Sequence, residues 1–433
     1  MSLIEKKMIQ AVVANKAGDI FDLPGYAAVG MAGLSFVPLP VEETIDIPFG
    51  SELMMLPDRK PVLFNIDKGM METLHEHPYL QGEPVFPVAA FNSPGYVISY
   101  NSAYVENKEA GYLPLFSYGA TGWFNGQFRS SVILVDSENR QDLRLMRPED
   151  VIAGVERVRK KMPENRLFKH LQKCATIYGC PAGKNFFLGR YEAPLPVSRH
   201  CNAKCLGCLS LQQESTISHC QDRISFTPRP EEVAEIALEH IGRVEKPVVS
   251  FGQGCEGDPL LEADVIESAI RMIRLKTDKG TININTNGSI PSVLKRLMDA
   301  GIDSMRISMN SVRKTFYHAY FRPQGYSFSD VKKSMDLGLD RGKFVSINYL
   351  NCPGFTDSPE EADAFIDFLK RHPVHFIQWR NLNFDPVKYI KLMFGIQRHG
   401  KPIGMNHVLE RIKSVFPQIR YGYFNPPKES FHE

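Results

Sequence analysis

The sequence predicts an α/β protein with two different parts: a β-rich or mixed N-terminal region, then a parallel barrel or partial barrel of six β/α units. Short apolar, aromatic-rich runs broken by Gly, Pro and Asn fill residues 1–147. Strand-like and helix-like segments then alternate over about residues 190–385. Parallel strands need crossover connections, so this alternation favours a parallel sheet with helices packed outside it.

The composition is that of an ordinary globular protein. The chain has 433 residues, of which 43% are hydrophobic and 23% charged, enough for two or three domains. Lysine and arginine total 51 against 49 acidic residues, and a net charge of +2 excludes a strongly basic nucleic-acid-binding surface. No apolar leader or regular membrane span is visible in the sequence. We therefore expect a cytoplasmic protein with neither a membrane nor a nucleic-acid partner.

Residues 1–147 are expected to form short strands and turns. Runs such as VFPVAAF, GYVISY and SSVILVD have the β-branched and aromatic residues that favour strands, and turn-forming residues separate them. We expect helix only in places such as Asp67 to His75. The role of this region is open, because its aromatic residues can be core or can form a substrate-recognition surface. These aromatic residues are Tyr96, Tyr100, Tyr104, Tyr112, Phe116, Tyr118 and Trp123.

Residues 148–189 are predicted to be a helical bridge that contains Cys174 and Cys180. Pro148 begins a segment with acidic residues early and basic residues late, as the helix dipole favours. Because proline disrupts a helix interior, we expect Pro163 to divide the segment into two helices.

The α/β part is predicted over residues 190–385, followed by a C-terminal helical extension over 386–433. Apolar residues recur at three- and four-residue steps in the segments between the strands, which is typical of amphipathic helices. In such folds the active site forms at the C-terminal ends of the strands. Here those ends are polar, with sequences NTNG, SMNS, NYLNC and QWRNLN. The expected strands are Leu195 to Ser198, Pro247 to Phe251, Thr281 to Asn285, Ser304 to Ser308, Phe344 to Leu350 and His375 to Trp379.

The eight cysteines carry the main functional signal. All lie after residue 173, and five fall within residues 180–220. Clustered thiols in a reducing compartment indicate metal or redox chemistry. Cys201, Cys205 and Cys208 form a C-x3-C-x2-C motif in a loop after the first expected strand. Three thiolates suit an iron–sulfur cluster or zinc, and they leave one metal position open where a structural site would have four ligands.

The motif and its position resemble the radical S-adenosylmethionine (radical SAM) family over about residues 190–385. The resemblance implies a partial TIM-like (β/α)6 radical SAM barrel with a [4Fe–4S] cluster on Cys201, Cys205 and Cys208. It also implies that S-adenosylmethionine (SAM) binds the fourth iron and is cleaved reductively to a 5′-deoxyadenosyl radical that acts on a substrate. A low-potential donor such as flavodoxin or ferredoxin would then supply the electron.

Further stretches match the family in order. FGQGCEGDPLL follows the second strand, where the family has a glycine-rich turn that meets the SAM amino group. Two departures are visible: Gly207 stands where an aromatic residue usually lies beside adenine, leaving Leu206 as a neighbour, and Asp258 stands where Glu is commoner. The resemblance assigns the methionine end of SAM to Gly254, Gly257 and Asp258. It assigns the SAM carboxylate and ribose to the third and fourth strand ends, at Asn285, Asn287, Ser308 and Asn310, with Arg306 as a weaker candidate.

The structural alternative to ligand binding for each polar strand-end residue is a role as a helix cap or in a turn. The same choice applies to three residues after the last strand that could bind substrate or SAM, namely Arg380, Asn381 and Asn383. The substrate is not readable, and a peptide, a protein and a small metabolite are all allowed.

The remaining cysteines leave alternatives open. Cys174, Cys180 and Cys220 could ligate a second iron–sulfur cluster, with Cys255, Cys352 or a substrate as fourth ligand, or they could be small buried residues. The C-x3-C-x2-C loop could instead hold zinc with a fourth ligand such as His200, His219 or Cys220. The alternatives to a radical SAM enzyme are therefore a zinc-stabilised binding protein without catalysis and an iron–sulfur electron carrier.

Overall fold

The chain divides into two compact units that are each assembled from several segments. The structure is a computed structural model that describes residues 7–139, 142–212 and 217–432. The first unit comprises Met1–Ser137, Leu350–Ile366 and Trp379–Pro417. The second comprises Glu138–Tyr349, Asp367–Gln378 and Gln418–Glu433.

Short antiparallel strands dominate the first unit, as the interrupted apolar runs predict. The largest of its sheets has ten strands and is built around the order β12-β7-β2-β1-β13-β14-β5. The main hydrophobic cluster of this unit buries Val29, Met31, Leu56 and Tyr104. The strands are β1 (Gln10–Ala14), β2 (Ile20–Ala27), β3 (Val29–Ala32), β4 (Ser35–Pro38), β5 (Ile45–Asp46), β6 (Glu52–Met55), β7 (Arg59–Asn65), β8 (Met70–Thr73), β9 (Phe86–Phe91), β10 (Tyr96–Ile98), β11 (Asn101–Ser102), β12 (Tyr104–Glu106), β13 (Thr121–Phe124), β14 (Gln127–Ser130) and β15 (Val132–Leu134).

The helix expected from Asp67 to His75 is wrong. β8 pairs antiparallel with β7, with Asn65 opposite Met70. Gly69 sits in the connecting turn at φ +64°, a left-handed conformation that glycine adopts without strain. The turn makes this segment a hairpin, and tertiary pairing therefore overrides its local helical pattern.

A buried ion pair joins distant parts of the first unit. Arg59 Nη2 donates to Asp385 Oδ2 over 2.7 Å, and both side chains are almost completely buried. Asp385 Oδ1 also accepts from the Val387 and Lys388 amides, which caps the helix that begins at Pro386. The pair thus fixes a C-terminal helix to the N-terminal strands within this unit.

The expected break at Pro163 is confirmed, because one helix ends at Lys161 and the next begins at Arg166. A further helix, Pro181–Leu188, follows within the predicted helical segment. The helices are α1 (Pro148–Lys161), α2 (Arg166–Thr176), α3 (Pro181–Leu188), α4 (Pro230–Arg243), α5 (Ala263–Lys276), α6 (Pro291–Ala300), α7 (Lys314–Phe321), α8 (Phe328–Asp340), α9 (Pro359–Arg371), α10 (Pro386–Ile396) and α11 (Met405–Val415).

A curled, parallel half-barrel sheet forms the centre of the α/β part, which confirms the predicted fold class. Its seven strands follow one another in chain order, and helices connect most of them. The central strands have nearly continuous burial, as expected for a parallel sheet covered on both faces. The strands are β16 (Glu192–Pro194), β17 (Val248–Phe251), β18 (Thr281–Thr286), β19 (Ser304–Met309), β20 (Phe344–Asn351), β21 (Phe376–Asn381) and β22 (Arg420–Gly422).

Two predictions at the ends of this sheet are wrong. The first strand is β16, and the expected strand from Leu195 to Ser198 is extended chain beyond it. The segment 386–433 is not purely helical, because β22 follows α11 and pairs in parallel with β21. The sheet therefore has seven strands where the β/α alternation predicted six.

Candidate active site

The C-x3-C-x2-C loop is shaped by the end of α7. The Lys204 and Leu206 amides donate to the Phe321 and Tyr320 carbonyls over 3.0 and 3.1 Å. These carbonyls lie in the last turn of the helix, where they have no partner within it. The Gln324 amide donates to the Asn202 carbonyl over 2.8 Å. The cysteine loop thus gains backbone partners on a rigid helix end.

The three thiols of the motif lie close enough for their charges to interact. Burial, followed by the charge of Asp258, raises the pKa of the Cys201 thiol to about 12. Burial and then the charges of Cys201 and Cys208 raise the pKa of Cys205 well above its ordinary value. None of the eight cysteines, all of which lie in the described residues, forms a disulfide. Three neighbouring thiolates repel one another unless a cation is bound between them.

Arg223 is a contact of this loop that sequence reasoning missed. Its Nη2 lies 3.4 Å from Cys208 Sγ, and its Nε donates to Ser210 Oγ over 3.2 Å. Hydrogen bonds to cysteine sulfurs are one means by which proteins tune cluster reduction potentials. An isolated arginine 15 residues after the last cysteine of the motif carries no sequence signal that would have identified it.

The glycine-rich turn after β17 packs directly against the cysteine loop. The Gly257 amide donates to the Ser198 carbonyl over 2.6 Å, and the Asp258 amide donates to the His200 carbonyl over 2.9 Å. A Cβ atom on Gly257 would lie 1.8 Å from the His200 carbonyl oxygen, so only glycine allows this approach. A Cβ on Gly254 would lie 2.8 Å from Gln221 Nε2.

Glu256 holds this turn to the extended segment before the cysteine motif. One carboxylate oxygen accepts from the Val197 and Ser198 amides over 2.8 and 2.9 Å. The other accepts from the Gly252 and Gln253 amides, both over 2.7 Å. Burial raises the pKa of Glu256 to about 7, while these backbone hydrogen bonds act in the opposite direction. Sequence reasoning did not single out this residue, although it is the centre of the turn.

Asp258 and Asn287 connect the third strand end to the cysteine loop. The Asp258 carboxylate accepts from Thr286 Oγ1 over 2.8 Å and from the Asn287 amide over 2.7 Å. Asn287 Nδ2 donates to Asn202 Oδ1 over 2.8 Å, and Asn202 lies next to Cys201. Burial raises the pKa of Asp258 despite its hydrogen bonds. The structure therefore brings these predicted residues together through a hydrogen-bond network next to the motif.

The other strand-end candidates have structural partners in the sheet or on the helix α7 that follows β19. Asn285 Nδ2 donates to the Phe251 and Gly252 carbonyls over 3.1 and 3.2 Å. Asn310 Nδ2 donates to the Phe316 carbonyl over 3.2 Å, and Asn348 Nδ2 lies 3.5 Å from Ser308 Oγ. Arg306 Nη1 donates to Gln378 Oε1 over 2.8 Å. Leu206 is buried.

The residues after the sixth expected strand belong to the first unit. Asn381 Oδ1 accepts from the Ile98 amide, and Asn381 Nδ2 donates to the Tyr96 carbonyl, each over 2.9 Å. This side chain therefore fastens strand β10, the structural alternative considered for it.

A second cysteine group lies beside the glycine-rich turn. Cys174 of α2 is buried with Cys255, and the metal-ligating atoms of His170, Cys174 and Cys255 lie within 4.8 Å of one another. A hydrogen bond from Cys255, followed by one from His170, lowers the pKa of Cys174. Cys220, expected as a ligand with Cys174 and Cys180, is exposed and lies outside this group. Cys352 is buried in the first unit.

The donor set of the motif fits the cluster implied by the resemblance. Three free thiols, interacting through their charges and held on a loop with satisfied backbone groups, are a suitable ligand set for iron. Cys201, Cys205 and Cys208 would hold the [4Fe–4S] cluster. When bound, the cluster would supply electron transfer to SAM.

No helix among residues 7–139, 142–212 and 217–432 is long and apolar enough to cross a membrane.

Comparisons with known proteins find similar sequences and structures. GTP 3′,8-cyclase of Arabidopsis thaliana mitochondria is 23% identical over 240 residues, 54% of this chain and 55% of that protein. GTP 3′,8-cyclase of Lactiplantibacillus plantarum is 25% identical over 195 residues, 45% of this chain and 54% of that protein. The chain thus matches about half the length of these curated relatives. The crystal structure of Streptococcus suis SuiB superimposes with a TM-score of 0.38 at 12% identity, covering 74% of this chain and 72% of that one.

A family model matches the α/β part of the chain. Residues 195–369 match the model of the Radical SAM superfamily. This range contains the cysteine motif, the glycine-rich turn and the third and fourth strand ends, in the order the sequence predicts. Residues 195–369 of this chain therefore form a radical SAM domain.

Proposed function

We propose that this protein reductively cleaves S-adenosylmethionine at a [4Fe–4S] cluster and uses the resulting 5′-deoxyadenosyl radical on a substrate. The observation that carries the proposal is the docking of the glycine-rich turn on the cysteine loop. The Gly257 amide bonds to Ser198, and no side chain fits between Gly257 and His200. This contact supports a SAM-binding turn directly beside three metal-ligating thiols.

In this proposal the protein residues position SAM and limit its access to water. Gly254, Gly257 and Asp258 seat the methionine end, with Asp258 acting through its hydrogen bonds to Thr286 and Asn287. Asn285, Asn287, Ser308 and Asn310 are the proposed carboxylate and ribose contacts, and Asn287 also orients the cysteine loop through Asn202. Arg223 donates a hydrogen bond towards Cys208 and so adjusts the electron density on that ligand.

The proposed electron donor is a low-potential protein such as flavodoxin or ferredoxin, and the proposed location is the cytoplasm. The substrate class stays open between a small metabolite and a peptide or protein. The matched relatives named above are GTP cyclases, which supports small-molecule chemistry. A second iron–sulfur cluster on Cys174, Cys180 and Cys220, with Cys255, Cys352 or a substrate as fourth ligand, stays a prediction; Cys174 and Cys255 lie together, whereas Cys220 is exposed and lies outside that group.

The test is electron paramagnetic resonance of the anaerobically purified, dithionite-reduced protein, with and without SAM. We expect a [4Fe–4S]⁺ signal that changes when SAM is added, because SAM binds the iron that lacks a protein ligand. We also expect 5′-deoxyadenosine to accumulate. Replacing Cys201, Cys205 and Cys208 together by alanine should reduce 5′-deoxyadenosine formation at least about a thousandfold, since the electron source is lost.

Cys220→Ala is the matched control, because this exposed cysteine lies outside the motif. We expect it to retain the SAM-dependent signal. A triple variant that still forms 5′-deoxyadenosine contradicts the proposal. A cluster signal indifferent to SAM favours an iron–sulfur electron carrier, and a colourless protein with zinc but no iron favours a zinc-stabilised binding protein.

A further inference from the structure

A second set of metal-ligating groups lies outside the C-x3-C-x2-C motif. His170 and Cys174 are one turn apart on α2, and residues at i and i+4 share a helix face. Cys255 reaches the same place from the glycine-rich turn after β17. His170 Nε2 lies 3.5 Å from Cys174 Sγ, and the ligand atoms of all three residues lie within 4.8 Å of one another.

The 3.5 Å between His170 Nε2 and Cys174 Sγ matches two ligands of one tetrahedral ion, and the 4.8 Å limit on the other pairs is compatible with the same ion. Zinc binds thiolate at about 2.3 Å and imidazole at about 2.0 Å, so a sulfur and a nitrogen on the same ion are separated by about 3.6 Å. Two sulfurs on the same tetrahedral ion are about 3.8 Å apart by the same geometry. Thiolates that bind different irons of a cubane cluster are farther apart, because a metal–metal edge lies between them. The observed spacing therefore favours a single ion over a second cluster.

The chemistry of the donors selects zinc. Thiolate and imidazole together are a common ligand set for this ion. Cys174 and Cys255 are almost fully buried, at 2% and 5% exposure, and such a pair is shielded from competing water. His170 is half-buried, leaving a route for the ion to enter.

A closed structural zinc site needs a fourth ligand. Cys180 is half-buried, and its amide donates to the Cys174 carbonyl over 3.0 Å. Its thiol lies outside the group whose ligand atoms are within 4.8 Å of one another, but near enough for its charge to contribute to raising the pKa of Cys255. We propose that His170, Cys174, Cys255 and Cys180 bind one zinc ion beside the radical SAM site.

Such an ion would fasten α2 to the glycine-rich turn. Cys255 is adjacent to Glu256, which already binds the turn to the Val197 and Ser198 amides. The Ile224 amide donates to the Cys255 carbonyl over 2.8 Å. Metal binding that joins segments distant in sequence contributes folding free energy. This zinc site does not depend on the proposed function, because its ligands lie outside the C-x3-C-x2-C motif.

The primary test is metal analysis of the full-length protein, purified anaerobically from medium with defined iron and zinc. We expect one zinc per chain in addition to iron. The extended X-ray absorption fine structure at the zinc edge should fit three sulfurs at about 2.3 Å and one nitrogen at about 2.0 Å. A protein without zinc, with extra iron or a Cys174–Cys255 disulfide in its place, would overturn the proposal.

Variants separate ligand loss from misfolding. His170→Ala and Cys174→Ala should each lower the zinc content at least about tenfold while iron stays unchanged, as expected for the loss of a zinc ligand. His170→Cys should retain zinc, because thiolate replaces imidazole as a ligand. The exposed Cys220 provides the matched control, and Cys220→Ala should retain full zinc. Full zinc in both alanine variants would overturn the assignment, whereas zinc loss with intact iron leaves the SAM chemistry to be judged separately.

Discussion

His240 shows how burial of one titratable side chain makes stability depend on pH. It lies on α4 with no exposed surface, and its Nε2 is 3.1 Å from the Tyr191 carbonyl oxygen. Burial lowers the pKa of His240 from 6.5 to about 4. Between these values the unfolded chain binds the proton that the folded chain excludes. This contribution to stability is therefore complete above about pH 6.5 and is lost as the pH falls towards 4.

We predict that His240→Gln reduces the loss of folding stability at acidic pH. Glutamine keeps an N–H donor but cannot gain a proton, so the stability of the wild type relative to the variant should fall by about 3 kcal/mol between pH 7 and pH 4. Urea unfolding at both pH values measures the difference. His407→Gln, at an exposed position, is the control and should follow the wild type. Parallel pH profiles for the wild type and His240→Gln would contradict the prediction.

Single residues also show where sequence reasoning ends. The three motif cysteines could be identified because their spacing itself describes a ligand set. His170 and Cys255 could not be paired, because 85 residues separate them and only the fold brings α2 beside the glycine-rich turn. An H-x3-C spacing on an amphipathic helix was the available signal. Glu256 carried none, because its partners are backbone amides.

At the scale of elements, strand positions were predictable where burial alone decides them. β17, β18 and β19 lie within about one residue of the expected ranges, because β17 is a short apolar run and β18 and β19 carry apolar residues at alternate positions. Leu195 to Ser198 has the same apolar character but includes Pro196, which lacks an N–H donor. Its Val197 and Ser198 amides bond to Glu256 rather than to a neighbouring strand. A side-chain partner from a distant turn is not visible in a local pattern.

The contact between the turn and the cysteine loop gives a prediction at the same scale. In Gly257→Ala the added methyl would meet the His200 carbonyl oxygen at 1.8 Å, so the turn must move away from the loop. We expect iron content to fall at least about twofold and the SAM-dependent spectral change to disappear, because van der Waals overlap with backbone cannot be relieved by a rotamer change. Metal analysis and electron paramagnetic resonance measure both effects.

Gly242→Ala is the control for this substitution. Gly242 lies on α4, and an added Cβ would meet no atom within 4 Å. Alanine favours helix over glycine by about 1 kcal/mol, so this variant should be slightly more stable and keep its iron. Full iron and an unchanged SAM response in Gly257→Ala would show that the turn tolerates displacement.

At the scale of the whole molecule, the chain passes between the two units five times, after residues 137, 349, 366, 378 and 417. Composition distinguished a β-rich start from an α/β remainder. It could not show that residues 350–366 and 379–417 return to the first unit, because their helical pattern resembles that of the other helices. Such interleaving depends on tertiary contacts between distant segments. These contacts cannot be predicted from any short stretch of the sequence.

The Arg59–Asp385 pair allows a prediction of how much the stability of the first unit depends on the return of residues 379–417 to it. Asp385→Ala leaves the buried Arg59 guanidinium without its closest carboxylate, and such losses cost about 3–5 kcal/mol. Denaturant unfolding followed by tryptophan fluorescence reports on this unit, because both tryptophans of the chain, Trp123 and Trp379, belong to it. The exposed pair of Asp363 with Arg411 lies in the same unit and gives the control, Asp363→Ala, which should cost under about 1 kcal/mol. Equal costs for the two variants would contradict the prediction.

The same pair constrains the order of events during synthesis. Arg59 is made 326 residues before Asp385, so its charge cannot be neutralised by that partner until most of the chain has been translated. The strands around Arg59 must either stay open to water during that interval or form an incomplete core with the guanidinium at its edge. Nascent chains of this protein should therefore present unfinished β-structure to chaperones for about three quarters of translation.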